Sequence, residues 1–249
     1  GGRGLVWPHG GGMRFIVFLL FILCGCSQPR PVLIVAAFPQ EVAPLIPHLT
    51  DPHSVPLSTG EALTGMLDGQ YVAIITTGAG LVNAAAGTQR GIDALNPSHV
   101  LMVGVAGAID PEFPPGTVII PAGWVNHQAG KIDAGGFTPV SQTYLVDTDL
   151  LAIGQFLPGV VAGGIGLSGD VFVDSPAFRD ELFTRTAASV VDMESAAVAQ
   201  VSAQNDTPFL IIRAVSDTAG GDAQTEIAVS FEAAVESACE ALRGIIRGL

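Results

Sequence analysis

Six runs of the chain are apolar and rich in β-branched residues: 31–37, 71–77, 100–105, 118–120, 160–167 and 209–215. They are continuous, whereas a strand with one wet face alternates apolar with polar residues. Runs of this kind fit a sheet covered on both faces. The segments between them carry helical spacing, at 39–49, 81–95, 176–186, 193–204 and 225–247. Strands alternating with helices predict a single α/β domain with a central, mixed, mostly parallel sheet flanked by helices. Of 249 residues, 49% are hydrophobic and only 13% charged, so a disordered or coiled-coil chain is excluded. The 31 glycines show no Gly-X-Y period, which excludes collagen.

In such sheets ligands bind beyond the carboxyl ends of the strands. There the chain places Phe38-Pro39-Gln40-Glu41, Gly78-Ala79-Gly80, Ala106-Gly107 and Ser168-Gly169-Asp170. Asp192-Met193-Glu194 follows Val191, and Arg213-Ala214-Val215-Ser216-Asp217 follows Ile212. Gly, Ser, Glu and Asp at successive strand ends predict a site there. Lys and Arg total 10 against 23 Asp and Glu, a formal charge of −13. That field repels polyanions, so no nucleic-acid partner is expected. The histidines His48, His53, His99 and His127 have no acidic or Cys partner at ligand spacing. No metal and no cofactor is expected.

The first thirty residues read as an address. Met13 and Arg14 precede a nine-residue apolar stretch, 15–23. This is too short to span a bilayer, which takes roughly 20 apolar residues, but suits a secretory h-region. Leu23-Cys24-Gly25-Cys26 resembles a bacterial lipobox, with Cys26 as the lipidated residue. Residues 1–12 read as upstream sequence, Met13 being the better start. The expected division is therefore 1–30 for upstream residues, lipoprotein-type signal and linker, and 31–249 for the α/β domain that carries the site. Cleavage before Cys26 would leave Cys239 as the one unmodified cysteine, so no internal disulfide is expected. The expectation is an exported, membrane-anchored bacterial lipoprotein, held to the membrane through lipid alone.

Four segments together resemble the nucleoside phosphorylase/nucleosidase superfamily, and within it the methylthioadenosine/S-adenosylhomocysteine nucleosidases. They are Ala36-Ala37-Phe38-Pro39-Gln40-Glu41-Val42, Thr77-Gly78-Ala79-Gly80 with Val82-Asn83-Ala84-Ala85, Val191-Asp192-Met193-Glu194-Ser195-Ala196-Ala197, and Arg213-Ala214-Val215-Ser216-Asp217. The resemblance implies release of adenine from 5′-substituted adenosines, with a nucleoside as the small-molecule substrate and a homodimer as the assembly. Cleaving a purine N-glycosidic bond needs a proton on the leaving base, a stabilised ribosyl cation and a nucleophile. Asp217 is the candidate acid, because a carboxyl at a partly buried strand end holds its proton to higher pH. The resemblance assigns it to adenine N7, with Ser216 orienting it. Alone, an Asp before Thr-Ala-Gly-Gly would read as a turn or cap.

By the same resemblance Glu194 hydrogen-bonds the ribose hydroxyls and Met193 packs on the sugar. Phe172 and Val173 hold the base, and Thr77 and Gly78 border the water site. Glu41 and Arg213 position the attacking water. Phosphorylases instead carry a Gly-Asp-Pro-x-Arg turn where this chain has Phe-Pro-Gln-Glu. A carboxylate at that place repels a phosphate dianion, which favours hydrolysis. Residues 124–130, Trp-Val-Asn-His-Gln-Ala-Gly, depart from the family's acidic Tyr-His-Asp-type segment near the 5′ group and the dimer contact. The alternatives are a phosphorylase, a hydrolase of another nucleoside such as futalosine or a hopanoid-linked adenosyl group, and a non-catalytic nucleoside-binding lipoprotein.

Overall fold

The computed structural model describes residues 1–2, 29–134, 136–139 and 142–249. The signal-like run and Cys26 lie outside the described residues. The apolar runs form the middle of a 12-stranded mixed sheet. At its centre are β1 (Val32–Ala36), β4 (Gln70–Thr76), β5 (His99–Ala108) and β14 (Phe209–Asp217). β1 lies parallel between β4 and β5, and β14 runs parallel along the other edge of β5. β1 and β14 are buried at every position, as continuous apolar runs require.

Beyond β4 come β3 (Glu61–Leu67) and β2 (Thr50–Pro56), both antiparallel. The far end of β5 pairs antiparallel with β13 (Val190–Asp192), which continues through β12 (Ile165–Ser168) and β7 (Gly123–Asn126) to β10 (Thr143–Leu145). β6 (Val118–Ile120) joins β14 to β11 (Val160–Ala162). β8 (Gly130–Asp133) and β9 (Gly136–Pro139) pair only with each other. The run at 160–167 is thus two strands. Gly163 and Gly164, both at positive φ, turn the chain between them.

The predicted helix at 39–49 is one α-helical turn, α1 (Pro39–Val42), followed by a 3₁₀ segment, Ala43–His48. Pro44 and Pro47 prevent a longer α-helix by removing backbone donors. α2 (Leu81–Leu95) packs on α5 (Ser195–Gln204). α6 (Ala223–Arg247) lies along β14 and β5, with α1 and α3 (Thr148–Gln155) against it. α4 (Pro176–Thr186) begins with a Ser175 cap and a Pro at its first position. In α2, a Cβ at Gly91 would lie 2.7 Å from Leu33 of β1, so glycine lets this helix seat closely on the sheet.

Candidate active site

The parallel strands bring their carboxyl ends to one edge, and the polar strand-end residues meet there. α1 folds Glu41 back over the end of β1. Its Oε2 accepts the Ala37 and Phe38 amides at 2.9 and 3.0 Å, and its own amide donates back to the Phe38 carbonyl at 3.1 Å. Its Oε1 accepts the Val105 amide of β5 at 3.1 Å and lies 3.6 Å from Arg213 Nη1. The carboxylate is therefore held in place, buried and aimed at Arg213 in the middle of β14.

Arg213 is fully buried and faces three carboxylates. Its Nε donates to Asp192 Oδ2 at 2.8 Å, and its Nη2 reaches Glu194 Oε2 at 3.5 Å. Among the described residues its Nη1 has no hydrogen-bond partner. A buried guanidinium nitrogen left open beside a carboxylate is a ready donor for a polar ligand atom. Gly104 of β5 makes room for this cluster, since a Cβ there would press on both Arg213 Nη1 and Glu41 Oε1.

Glu194 sits where β13 passes into α5. Its Oε1 accepts the Gly80 amide at 2.9 Å, tying α5 to the turn before α2. Gly78 and Gly80 have φ of 88° and 96°, conformations that glycine adopts without penalty. Burial pushes the Glu194 carboxyl up to about 7, against the opposing pull of Arg213. Thr77 and Gly78 follow β4 and are tied to the end of β1, their amides donating to the Ala36 and Ala37 carbonyls at 3.0 and 2.9 Å. They are thus beside the Glu41 turn.

Asp217 closes β14 after a register shift between Val215 and Asp217. Such irregularities re-aim side chains at strand ends. Ser216 Oγ donates to Asp217 Oδ2 at 2.8 Å, and the Ala219 amide to Oδ1 at 2.9 Å. Burial raises the Asp217 carboxyl above the usual range, and these two bonds oppose the shift. Asp217 lines a 30 Å³ cavity with Phe172, Val173, Asp192, Met193 and Gly107. Val173 is buried, while Phe172 is 49% exposed at the mouth.

The predicted residues therefore fall into two adjoining groups. Glu41, Arg213 and Glu194 form one, with Thr77 and Gly78 beside it; Asp217, Ser216, Met193, Phe172 and Val173 form the other. Asp192, which sequence reasoning did not single out, bonds the first and lines the cavity of the second. Its carboxylate accepts from the Ser168 and Ser195 hydroxyls and from the Glu194 and Ser195 amides, besides Arg213 Nε. The available signal was its place two and three residues before those amides, at a helix start, where Asp commonly accepts such bonds. Among the described residues no group of three or more His, Cys, Asp or Glu is placed to hold a metal ion.

Residues 31–249 match the sequence profile of the Phosphorylase superfamily. The chain belongs to this superfamily. Among similar members, the 5′-methylthioadenosine/S-adenosylhomocysteine nucleosidase of Geobacillus thermodenitrificans is 34% identical over 83% of this chain and 90% of its own length. The corresponding protein of Staphylococcus carnosus is 30% identical over 87% of this chain and 99% of its own. The superfamily fold is matched by the Neisseria meningitidis nucleosidase solved with methylthio-immucillin-A. That structure has a TM-score of 0.81 and 28% identity, covering 88% of this chain and all of that one. Futalosine hydrolase of Helicobacter pylori shares the fold at a TM-score of 0.80 with 24% identity, covering 88% and 98% of the two chains. The expected mixed α/β architecture is the one found.

Proposed function

We propose that the chain hydrolyses the N-glycosidic bond of 5′-substituted adenosines such as methylthioadenosine or S-adenosylhomocysteine. The observation that carries this reading is the buried cluster of Glu41, Asp192 and Glu194 around the single guanidinium of Arg213. A phosphate dianion placed there would face three carboxylates against one cation, whereas a neutral water would not be repelled. Water, rather than phosphate, is the nucleophile that this cluster accommodates.

In the proposed reaction Asp217 donates its proton to N7 of the base as the C1′–N9 bond breaks. The bond's electron pair leaves with adenine. Glu194 bonds the ribose hydroxyls, and in its ionised form its charge favours the cationic ribosyl ring. Water attacks C1′, and its proton passes to Glu41, within whose reach Arg213 Nη1 fixes the oxygen. Ser216 holds the Asp217 carboxyl in orientation, Met193 packs on the sugar, and Phe172 and Val173 bracket the base. Thr77 and Gly78 border the water. The sum is nucleoside plus water giving adenine and the 5′-substituted ribose.

Adenine release from methylthioadenosine, S-adenosylhomocysteine and adenosine, measured with and without phosphate, tests the reading. Release independent of phosphate is expected. Release only with phosphate would make the chain a phosphorylase, and tight binding without release a nucleoside-binding protein. One observation favours a second reading, in which the same machinery acts on a different 5′ group. Residues 124–130 depart from the acidic family segment, and His127 within them is buried, with burial lowering its pKa.

Two further properties belong to the same proposal. Cys26 is read as a lipid anchor of an exported protein; mass spectrometry of the native protein showing a diacylglyceryl Cys26 supports it, and a native peptide from upstream of Met13 counts against it. A homodimer is read from the apolar face that α2 and α5 share, and is argued below.

A further inference from the structure

We propose that Glu226 is a positioning residue for the reaction, closing the turn after β14 from the first turn of α6 and thereby fixing the Asp217 carboxyl at the base cavity. The inference rests on Asp217 acting as the acid in the proposed hydrolysis.

Asp217 sits at the start of a turn that must change direction sharply. Ala219, two residues on, has a φ of 50°, in the left-handed region that a residue with a Cβ enters only at a cost. Ala219 is nevertheless buried, and its amide is one of the two donors to Asp217. A strained residue persists only where its surroundings over-determine it. Glu226 supplies that constraint. Its Oε2 accepts the Thr218 amide at 2.6 Å, and both its oxygens lie 3.0 Å from the Thr218 hydroxyl. Thr218 stands between Asp217 and Ala219, so the bonds clamp the peptide whose direction sets both neighbours.

The clamp is anchored at its other end. Ser230, one turn further along α6, shares its one hydroxyl hydrogen between the Ser216 carbonyl and the Glu226 carbonyl. Side chains from one helix therefore grip the residues on either side of Asp217. The charged groups facing Asp217 come from several elements. Glu226 belongs to α6, Asp174 precedes α4, and Arg179 of α4 donates to the Thr218 carbonyl at 3.3 Å. Asp192 of β13 lines the same cavity. Glu226 and Asp174 both disfavour loss of the Asp217 proton by like-charge repulsion. Glu226 thus has two separable effects, one geometric and one electrostatic.

Glu226→Gln keeps the size and an acceptor but removes the charge, and Glu226→Ala removes both. Each is to be made in the full chain and followed in two ways. The first is the ¹³C titration of the Asp217 carboxyl without substrate, assigned by its loss in Asp217→Asn. The second is the pH profile of kcat and KM per folded molecule. In Glu226→Gln the Asp217 midpoint and the alkaline limb of kcat should both move to lower pH, by about half a unit. In Glu226→Ala kcat should also fall about tenfold or more at all pH values, with KM within about threefold. A purely structural role would lower the melting temperature and leave the midpoint in place. An unmoved midpoint in Glu226→Gln, or an unchanged kcat in Glu226→Ala, overturns the proposal. Should Glu226→Ala fail to fold, the Glu226→Gln midpoint decides alone. Absence of base release by the parent would instead refute the hydrolase reading, while the titration would still report whether Glu226 governs Asp217.

Discussion

Glu194 and Asp217 are both carboxyls whose burial favours the protonated form, and they differ in what compensates for it. Among the described residues Asp217 has only the Ser216 hydroxyl and the Ala219 amide, which suits the proposed role of a group that holds a proton for the leaving base. Asp217→Asn should lower adenine release by about 10²–10⁴-fold, the usual range for losing a general acid. Substrate binding, followed with a non-hydrolysable analogue, should change little. Glu194 predicts a stability effect. Its folded pKa is raised from 4.5 to about 7, so the folded state binds more protons than the unfolded one between those values. Its contribution is therefore greatest below about 4.5 and declines as pH rises through about 7. Glu194→Gln should remove that decline, on the order of 1–3 kcal/mol, from the pH dependence of the denaturant midpoint. A wild-type slope retained in the variant would assign it to another group.

At the scale of elements, the site depends on how closely β5, β14 and α1 approach. Gly104 is the point of closest approach, because its missing Cβ leaves the space that Arg213 and Glu41 fill. Gly104→Ala should displace that pair, cost about 1–3 kcal/mol as an overpacked core does, and reduce turnover more than tenfold. Thermal unfolding and base release measure the two effects separately. The same packing explains what was legible in the sequence. β1, β4, β5, β6 and β14 announced themselves because both their faces are covered. Helices α2 and α4 have the expected bounds, 81–95 and 176–186. β2 is exposed along nearly all its length and has no apolar run to betray it. β7 to β10 and β13 are three or four residues long, too short for a period to register, and α3 spans only eight. Most motif residues of the site were legible because they lie where a strand ends or a helix opens, whereas Arg213 lies mid-strand in β14 and was legible through the Arg-Ala-Val-Ser-Asp motif. Asp192 was less so, since its role comes from Ser168 and Arg213, distant in sequence and adjacent only in the fold.

At the scale of the whole molecule, one face is unfinished in a single chain. α2 and α5 flank a groove of 280 Å³ lined by Leu81, Val82, Ala85, Ala196, Ala197 and Val201, together with the polar Asn126, Gln200 and Gln204. Val82 is 76% exposed. Four residues after Asn126 begins the β8–β9 hairpin, every described residue of which is exposed, including Ile132 at 80%. A two-stranded hairpin is marginal by itself and gains order by packing on something else. The groove carries an apolar patch on its α2 and α5 walls, and an isologous dimer covers such a patch on both copies at once. Val82→Asp tests this without disturbing the core, since a change at so exposed a position should alter the stability of one chain by no more than about 0.5 kcal/mol. Light scattering should give a mass of two chains for the parent and one for the variant at micromolar concentration. A buried charge facing its own copy across the axis would be unpaired, and this is what should separate the chains. Two chains in the variant would remove this face from the interface, and one chain in the parent would remove the dimer. Turnover by a monomeric variant would further show whether the second copy is needed to complete the pocket or only to cover its neighbourhood.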